Sequence, residues 1–166
     1  MKIDFTTGPL DEGKQRQLSA GFESHSETQL APPYQKERFN WTVEDEHGNL
    51  IAALTANLLW DWLYIDELWV DEACRGTGMG KKLMAQAEEY AKQHSLSGLW
   101  LWTQSWQAPQ FYQSLGFEEF TRFDDFPAGH SRIGLRKPLA KRRRHPDERT
   151  SSITRRQREN KFKEWG

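Results

Sequence analysis

Cysteine is almost missing from this chain. Cys74 is the single one in 166 residues, which excludes an internal disulfide and any metal site built from several cysteines. No apolar run approaches the length that crosses a bilayer, and no internal repeat is present. The first ten residues, MKIDFTTGPL, lack the apolar core of a signal peptide, so a cytoplasmic location is expected. Net charge is almost missing too, with a formal value of −1 at pH 7. That balance conceals an asymmetry. Residues 1–135 hold 11 Lys+Arg against 20 Asp+Glu, whereas residues 136–166 hold 12 against 4. An acidic body with a basic tail is two electrostatic objects.

What remains suits one soluble globular domain with a proper core, expected over 1–138 and followed by a tail over 139–166. Eight tryptophans are many for this length, enough for the core and for the lining of a pocket. Residues 2–7, KIDFTT, read as a short first strand, and a helix is expected over 11–23 with Leu18 and Phe22 on one face. Two prolines break APPYQK. Phe39, Trp41 and Val43 then alternate with polar neighbours as in a half-buried strand, HGN makes a turn, and LIAALTANLLW returns antiparallel. DWLYIDELWV (61–70) is the next strand. Met79, Leu83, Met84, Ala87, Tyr90 and Ala91 recur at helical spacing over 78–94, and GLWLWTQS (98–105) is apolar on both faces, as a central strand is. Strand, helix and strand form a βαβ unit with parallel strands. A short helix over 108–114 ends at Gly116, and FEEFTRF and HSRIGLRK close the sheet. The fold class is α+β: a mixed, mostly antiparallel central sheet with one parallel pair and helices on both faces.

Between strand 61–70 and the helix lies CRGTGMGKKL (74–83), with glycine at every second position. A strand, a glycine-rich turn and a helix start make an anion site, because the first helical N–H groups are unpaired and the dipole favours negative charge. The Walker pattern is excluded by Arg75 and Lys82, and the dinucleotide fingerprint by Lys81. A turn that is merely rich in glycine is the bland alternative. What fits is Arg75-x-x-Gly78-x-Gly80, which resembles the coenzyme A pyrophosphate loop of the GNAT superfamily of acyl-CoA-dependent N-acyltransferases. QAPQFYQSLGF (107–117) resembles that family's later motif, a short helix with Phe-Tyr that ends in Gly-Phe. The resemblance covers about residues 40–138. Glu72 stands where the family often has Pro, and Gln107 where it often has Asn. YIDELWVDE, QAPQFY and FPAGH together resemble a group of small bacterial GNAT proteins with mostly unassigned substrates.

The resemblance implies an acetyl-CoA-dependent N-acetyltransferase, with acetyl-CoA as co-substrate and no metal. Main-chain N–H groups of Arg75, Gly76, Thr77, Gly78, Met79 and Gly80 would meet the pyrophosphate, with charge added by Arg75 or Lys81; Lys82 is either a helper or a solvated helix residue. Strand 61–70 would splay from strand 98–105, so that the free edge at Leu68, Trp69 and Val70 pairs with pantetheine. Tyr112 matches the family's tyrosine that protonates the leaving thiolate, while Phe111 takes the core role. At pH 7 only about one part in two thousand of an ordinary amine is neutral, so a base is useful. Asp66 and Glu67 are the candidates. Strand alternation puts them on opposite faces unless a bulge intervenes. At most one then faces the substrate, with Asp66 favoured, and either could instead be satisfied by core hydrogen bonds or an arginine. Cys74 has no histidine beside it and reads as structural.

Trp62, Tyr64, Trp106 and His130 are candidates for the acceptor pocket; aromatic faces beside carboxylates suit a cationic amine. A lone histidine such as His130 is more often structural. The expected partners are a small-molecule amine and a second copy of the chain, and no membrane. The basic tail could bind nucleic acid, although a short charge run is usually solvated. Thr150 or Ser151 could cap a tail helix anchored by Ile153, Phe162 and Trp165, lying on the acidic body or on a partner subunit. The alternative function is a non-catalytic acyl-CoA-binding module that uses the tail to hold nucleic acid or protein. A further one is acetylation of protein lysines or N-termini.

Overall fold

The computed structural model describes residues 3–34 and 36–139. The expected tail helix lies outside the described residues. Contacts divide the chain into two compact units, one ending at Gln35 and one beginning at Lys36.

In the first unit, α1 spans Glu12–Thr28. Asp11 caps it, its carboxylate accepting from Gly13 N (3.0 Å) and Lys14 N (3.2 Å). The helix outlasts the expected end at residue 23 because nothing before Leu30, with φ at 55°, turns the chain. The strand expected over 2–7 is absent from residues 3–7. Its alternating pattern finds no ladder partner, and a strand without a neighbour is not stable.

The second unit is a six-stranded sheet in the order β1-β2-β3-β4-β6-β5. The strands are β1 (Lys36–Glu44), β2 (Leu50–Leu59), β3 (Trp62–Val70), β4 (Gly98–Gln104), β5 (Glu118–Asp124) and β6 (Ser131–Pro138). All neighbours are antiparallel except β3 and β4, which run parallel. Helix α2 (Met79–Gln93) connects that pair, and α3 (Pro109–Ser114) follows β4. Leu83, Met84, Ala87 and Ala91 of α2 are buried against Leu54, Leu63, Ile65, Leu99, Leu101 and Leu135 of the sheet. Phe111, Tyr112 and Leu115 of α3 pack on the same cluster. At the sheet margin, Tyr90 of α2 meets Phe39 and Trp41 of β1, with ring centroids 4.7 and 6.0 Å apart.

Two features fix where β3 and β4 meet. A Cβ at Gly98 would come 2.6 Å from the Lys137 carbonyl oxygen and 2.5 Å from the Trp62 ring, so only glycine allows that approach. Lys137, on β6, also donates to Glu88 of α2 (2.6 Å) and to the Leu115 carbonyl at the end of α3 (2.7 Å). Burial raises the Glu88 pKa, but hydrogen bonds from Lys137 and Lys92 outweigh it and hold the carboxyl below its ordinary value.

Gly98→Ala is expected to destabilise the fold by about 1–3 kcal/mol, because a main-chain oxygen cannot swing aside; urea unfolding would measure it. Glu88→Gln should cost about 1.5–3 kcal/mol at neutral pH. A lowered carboxyl pKa stabilises above the unfolded value and ceases to do so as pH falls through the folded one. The gap between native and variant should therefore narrow in unfolding curves as the pH falls below the ordinary glutamate range.

Candidate active site

The parallel pairing of β3 and β4 covers four positions: Trp62 with Gly98, Leu63 with Leu99, Tyr64 with Trp100 and Ile65 with Leu101. Beyond Ile65 and Leu101 the strands part. β3 continues on β2 as far as Val70 opposite Ala52, so Asp66–Val70 turn a main-chain edge without a β4 partner towards the opening.

The parting coincides with a bulge. Ala56 faces Ile65 and Thr55 faces Glu67, so Asp66 is the extra residue in β3. An extra residue breaks the alternation of side chains. Both carboxylates consequently reach one cation, Arg38 of β1: its Nη1 bonds Asp66 Oδ2, and its Nη2 lies 3.5 Å from Glu67 Oε2. Asn57 Nδ2 is 3.5 Å from the same Asp66 oxygen, and Thr55 Oγ1 donates to Glu67 Oε2 at 3.0 Å. The pairs are open to water and contribute at most about 1 kcal/mol to stability, so their effect is orientation. Nothing in the sequence signals Arg38, which lies 28 residues from Asp66.

At the far end of β3 the chain turns sharply. The Asp71 carboxylate accepts from Ala73 N (2.9 Å), Arg75 Nε donates to the Val70 carbonyl (3.2 Å), and Thr77 Oγ1 donates to the Cys74 carbonyl (2.7 Å). Arg75 thus ties the loop back to its strand. Gly76 and Gly78 have φ of 78° and 82°, and nothing lies within 4 Å of where their Cβ atoms would stand. Glycine is needed there for the left-handed backbone, and the space over it stays clear. The first main-chain bond of α2 runs from Lys82 N to Gly78 O at 3.0 Å, which leaves the N–H groups of Met79, Gly80 and Lys81 without helical partners. The first turn of α2 has no acidic residue, so its positive end is not neutralised. Clear space, unpaired donors and positive potential fit a pyrophosphate.

Tyr112 comes to the core through the end of α3. Gly116, with φ at 89°, lets Gly116 N reach Gln113 O (3.0 Å) and Phe117 N reach Tyr112 O (3.1 Å). That pair of bonds is a Schellman turn, and the buried Phe117 ring closes it 6.1 Å from the Tyr112 ring. The Tyr112 ring is half-buried, and burial raises its pKa, so the phenol stays protonated through the neutral range. Among the described residues its hydroxyl has no hydrogen-bond partner, whereas every fully buried side-chain polar atom has one. The hydroxyl is therefore not fully enclosed. Phe111 lies on the loop side, its ring edge 3.5 Å from where a Gly80 Cβ would be.

The acceptor candidates separate. Tyr64 lies tilted against Trp100, ring centroids 4.5 Å apart, and its phenol pKa is raised, first by burial and then by Asp66, against a lowering by Arg132. Trp106 and His130 come together in the loops beyond β4 and before β6, ring centroids 4.7 Å apart, with Ser105 Oγ 3.4 Å from His130 Nδ1. Trp62 lies over Gly98, at the end of β3 where the strands are still joined, and is not part of that group. Cys74 is half-buried in the turn. No helix among the described residues is long and apolar enough to cross a membrane, and no cluster of metal-ligating side chains is found among them.

The sequence profile described as the acetyltransferase (GNAT) family matches residues 11–117. The blasticidin-S acetyltransferase of Streptomyces morookaense is 39% identical over 85 residues, 51% of this chain and 62% of that protein. The chain therefore aligns with less than two thirds of that relative. An acetyltransferase from Bacillus cereus superposes with a TM-score of 0.71 at 27% identity, covering 81% of this chain and 98% of that one. A Bacillus anthracis protein described as a streptothricin acetyltransferase, solved with acetyl coenzyme A, superposes with a TM-score of 0.55 at 25% identity, covering 66% and 65%. With the mixed sheet, its one parallel pair and the match over most of the described length, the chain belongs to the GNAT family of acetyltransferases, whose co-substrate is acetyl-CoA.

Proposed function

We propose that this chain transfers an acetyl group from acetyl-CoA to a primary amine of a small molecule by direct attack, without an acyl-enzyme. The observation that carries the reading is the coincidence, along the unpaired stretch of β3, of an open strand edge, the bulged carboxylates and the unneutralised start of α2. Bound acetyl-CoA supplies an electrophilic thioester. The residues of the chain do the rest. Gly76 and Gly78 clear the approach to the N–H groups at the start of α2, and Lys81 adds charge. The edge from Leu68 to Val70 holds the pantetheine as an added strand, with a main-chain N–H near Val70 polarising the carbonyl.

Attack forms the C–N bond and breaks the C–S bond, so one proton must leave the amine and one must reach the sulfur. Asp66 is placed for the first task. Arg38 and Asn57 occupy its Oδ2 and leave Oδ1 for the amine, directly or through water. Glu67 shares Arg38 and serves as the second candidate. Tyr112 serves the sulfur, with a protonated phenol whose hydroxyl is uncommitted. The acceptor lies on the other side of the opening, beside Tyr64. The relative that acetylates blasticidin S supports a small molecule in that place.

Acetyl-CoA at about 100 times its dissociation constant should stabilise the native chain by about 2.7 kcal/mol in thermal unfolding. Gly78→Val should abolish that shift, and a shift retained in full would remove the loop from the site. Tyr112→Phe should leave the melting temperature within a degree or two, since no hydrogen bond is lost, and lower kcat by about 10²–10⁴ in a thiol-release assay. An unchanged kcat would take Tyr112 out of the chemistry.

A further inference from the structure

The sheet face turned away from α2 carries a charge that nothing described balances. Tyr64 of β3, Trp100 and Trp102 of β4 and Arg132 of β6 alternate with the buried Leu63, Ile65, Leu101 and Ile133, and so lie on the opposite face. The Arg132 guanidinium carbon stands 5.1 Å from the Trp102 ring centroid and 6.0 Å from that of Phe126. The Gln104 amide fixes this corner: turned to satisfy its surroundings, its nitrogen lies 3.2 Å from the carbonyls of both Phe126 and Ser131.

The other strand arginines each reach a carboxylate, Arg38 at Asp66 and Glu67, Arg122 at Glu119 and Arg136 at Glu118. Among the described residues no carboxylate comes within 4.0 Å of Arg132. It is half-buried, its five N–H donors have no partner among the described residues, and two rings flank it. Ring contacts attract the cation but supply no hydrogen bonds. Such a guanidinium is suited to a planar anion, which it can grip through two bonds at once.

Its place gives that anion a role. Arg132 is the register partner of Gln104, three residues beyond Leu101, where β4 leaves β3. Across the opening is Asp66. Both charges are felt at the Tyr64 phenol between them, in opposite senses. Carboxylate, phenol and guanidinium follow one another across one face.

We infer that the acceptor is an amine that also carries an anionic group, a carboxylate above all, gripped by Arg132 while its amino group is directed to the Asp66–Glu67 bulge. This rests on the reading of the chain as an N-acetyltransferase and narrows its acceptor. A polyamine is disfavoured, because its second cation would face Arg132.

Matched amines test it, with acetyl-CoA and the full chain: benzylamine against para-aminomethylbenzoate, and butylamine against γ-aminobutyrate. The native chain should favour the carboxylated member of a pair by about tenfold or more in kcat/KM, mainly through KM. Arg132→Met should bring each pair within about threefold by weakening the carboxylated member alone, and Arg132→Lys, which keeps the charge without the planar fork, should fall between. γ-Aminopropylphosphonate distinguishes a phosphate-like anion from a carboxylate, the latter being expected. Equal rates within each pair, or a preference that survives Arg132→Met, would overturn the inference. If Arg132→Met does not fold, an unaltered preference in Arg132→Lys overturns it instead. The thermal shift with acetyl-CoA separates the two levels. A shift with no turnover of the carboxylated amines sinks the inference alone, and no shift with no turnover sinks the transferase reading as well.

Discussion

Everything at the candidate site depends on where the pairing of β3 and β4 stops. Four registers of parallel ladder hold the strands together, and after Ile65 and Leu101 they separate. The stop has a local cause in β3 itself. Asp66 is surplus to the ladder with β2, and an extra residue bends and twists the strand that carries it. The same residue that deflects the strand bears a carboxylate. Strand geometry and acid placement are therefore one event: without the bulge, Asp66 and Glu67 would point to opposite faces and could not share Arg38.

The remaining parts of the site are held to that opening by short connections. Arg75 returns to the Val70 carbonyl, which sets the angle at which the loop leaves β3. The glycines then turn the main chain so that the helix starts with its donors exposed. On the other side, the Schellman turn at Gly116 fixes Tyr112 through Phe117. Neither arrangement relies on a long loop, and each is a backbone solution with a side chain attached.

Much of this was legible in the residues, and what was not has physical reasons. Glycine at 76, 78 and 80 announces a loop because few other residues tolerate its backbone, and two of the three do adopt positive φ. Gly80 does not; its neighbours Phe111, Val70 and Leu68 stand at ordinary contact distance from a Cβ. The apolar run of β4 and the period of α2 also fixed element types, since burial demands them. The bulge was legible only as a condition, because register is decided between strands. Arg38 and Arg132 carried no signal: their partners or lack of partners emerge once distant strands are adjacent. Trp62 shows a further limit. Alternation assigns it a face, but its position along β3 places it at the joined end. KIDFTT at the N-terminus has a strand's pattern and no neighbour to make it one.

The clasp at Lys137 has a mechanical consequence. Its ammonium joins β6 to Glu88 of α2 and to the carbonyl end of α3, while Gly98, two strands inward from the sheet edge, admits the closest packing against that same lysine's carbonyl. The parallel ladder begins at Gly98 as well. The two strands are thus joined to each other at the stem and parted at the mouth, each still held along its length by its outer neighbour, β2 or β6. The width of the mouth is therefore set by the two outer ladders and not by any bond between β3 and β4.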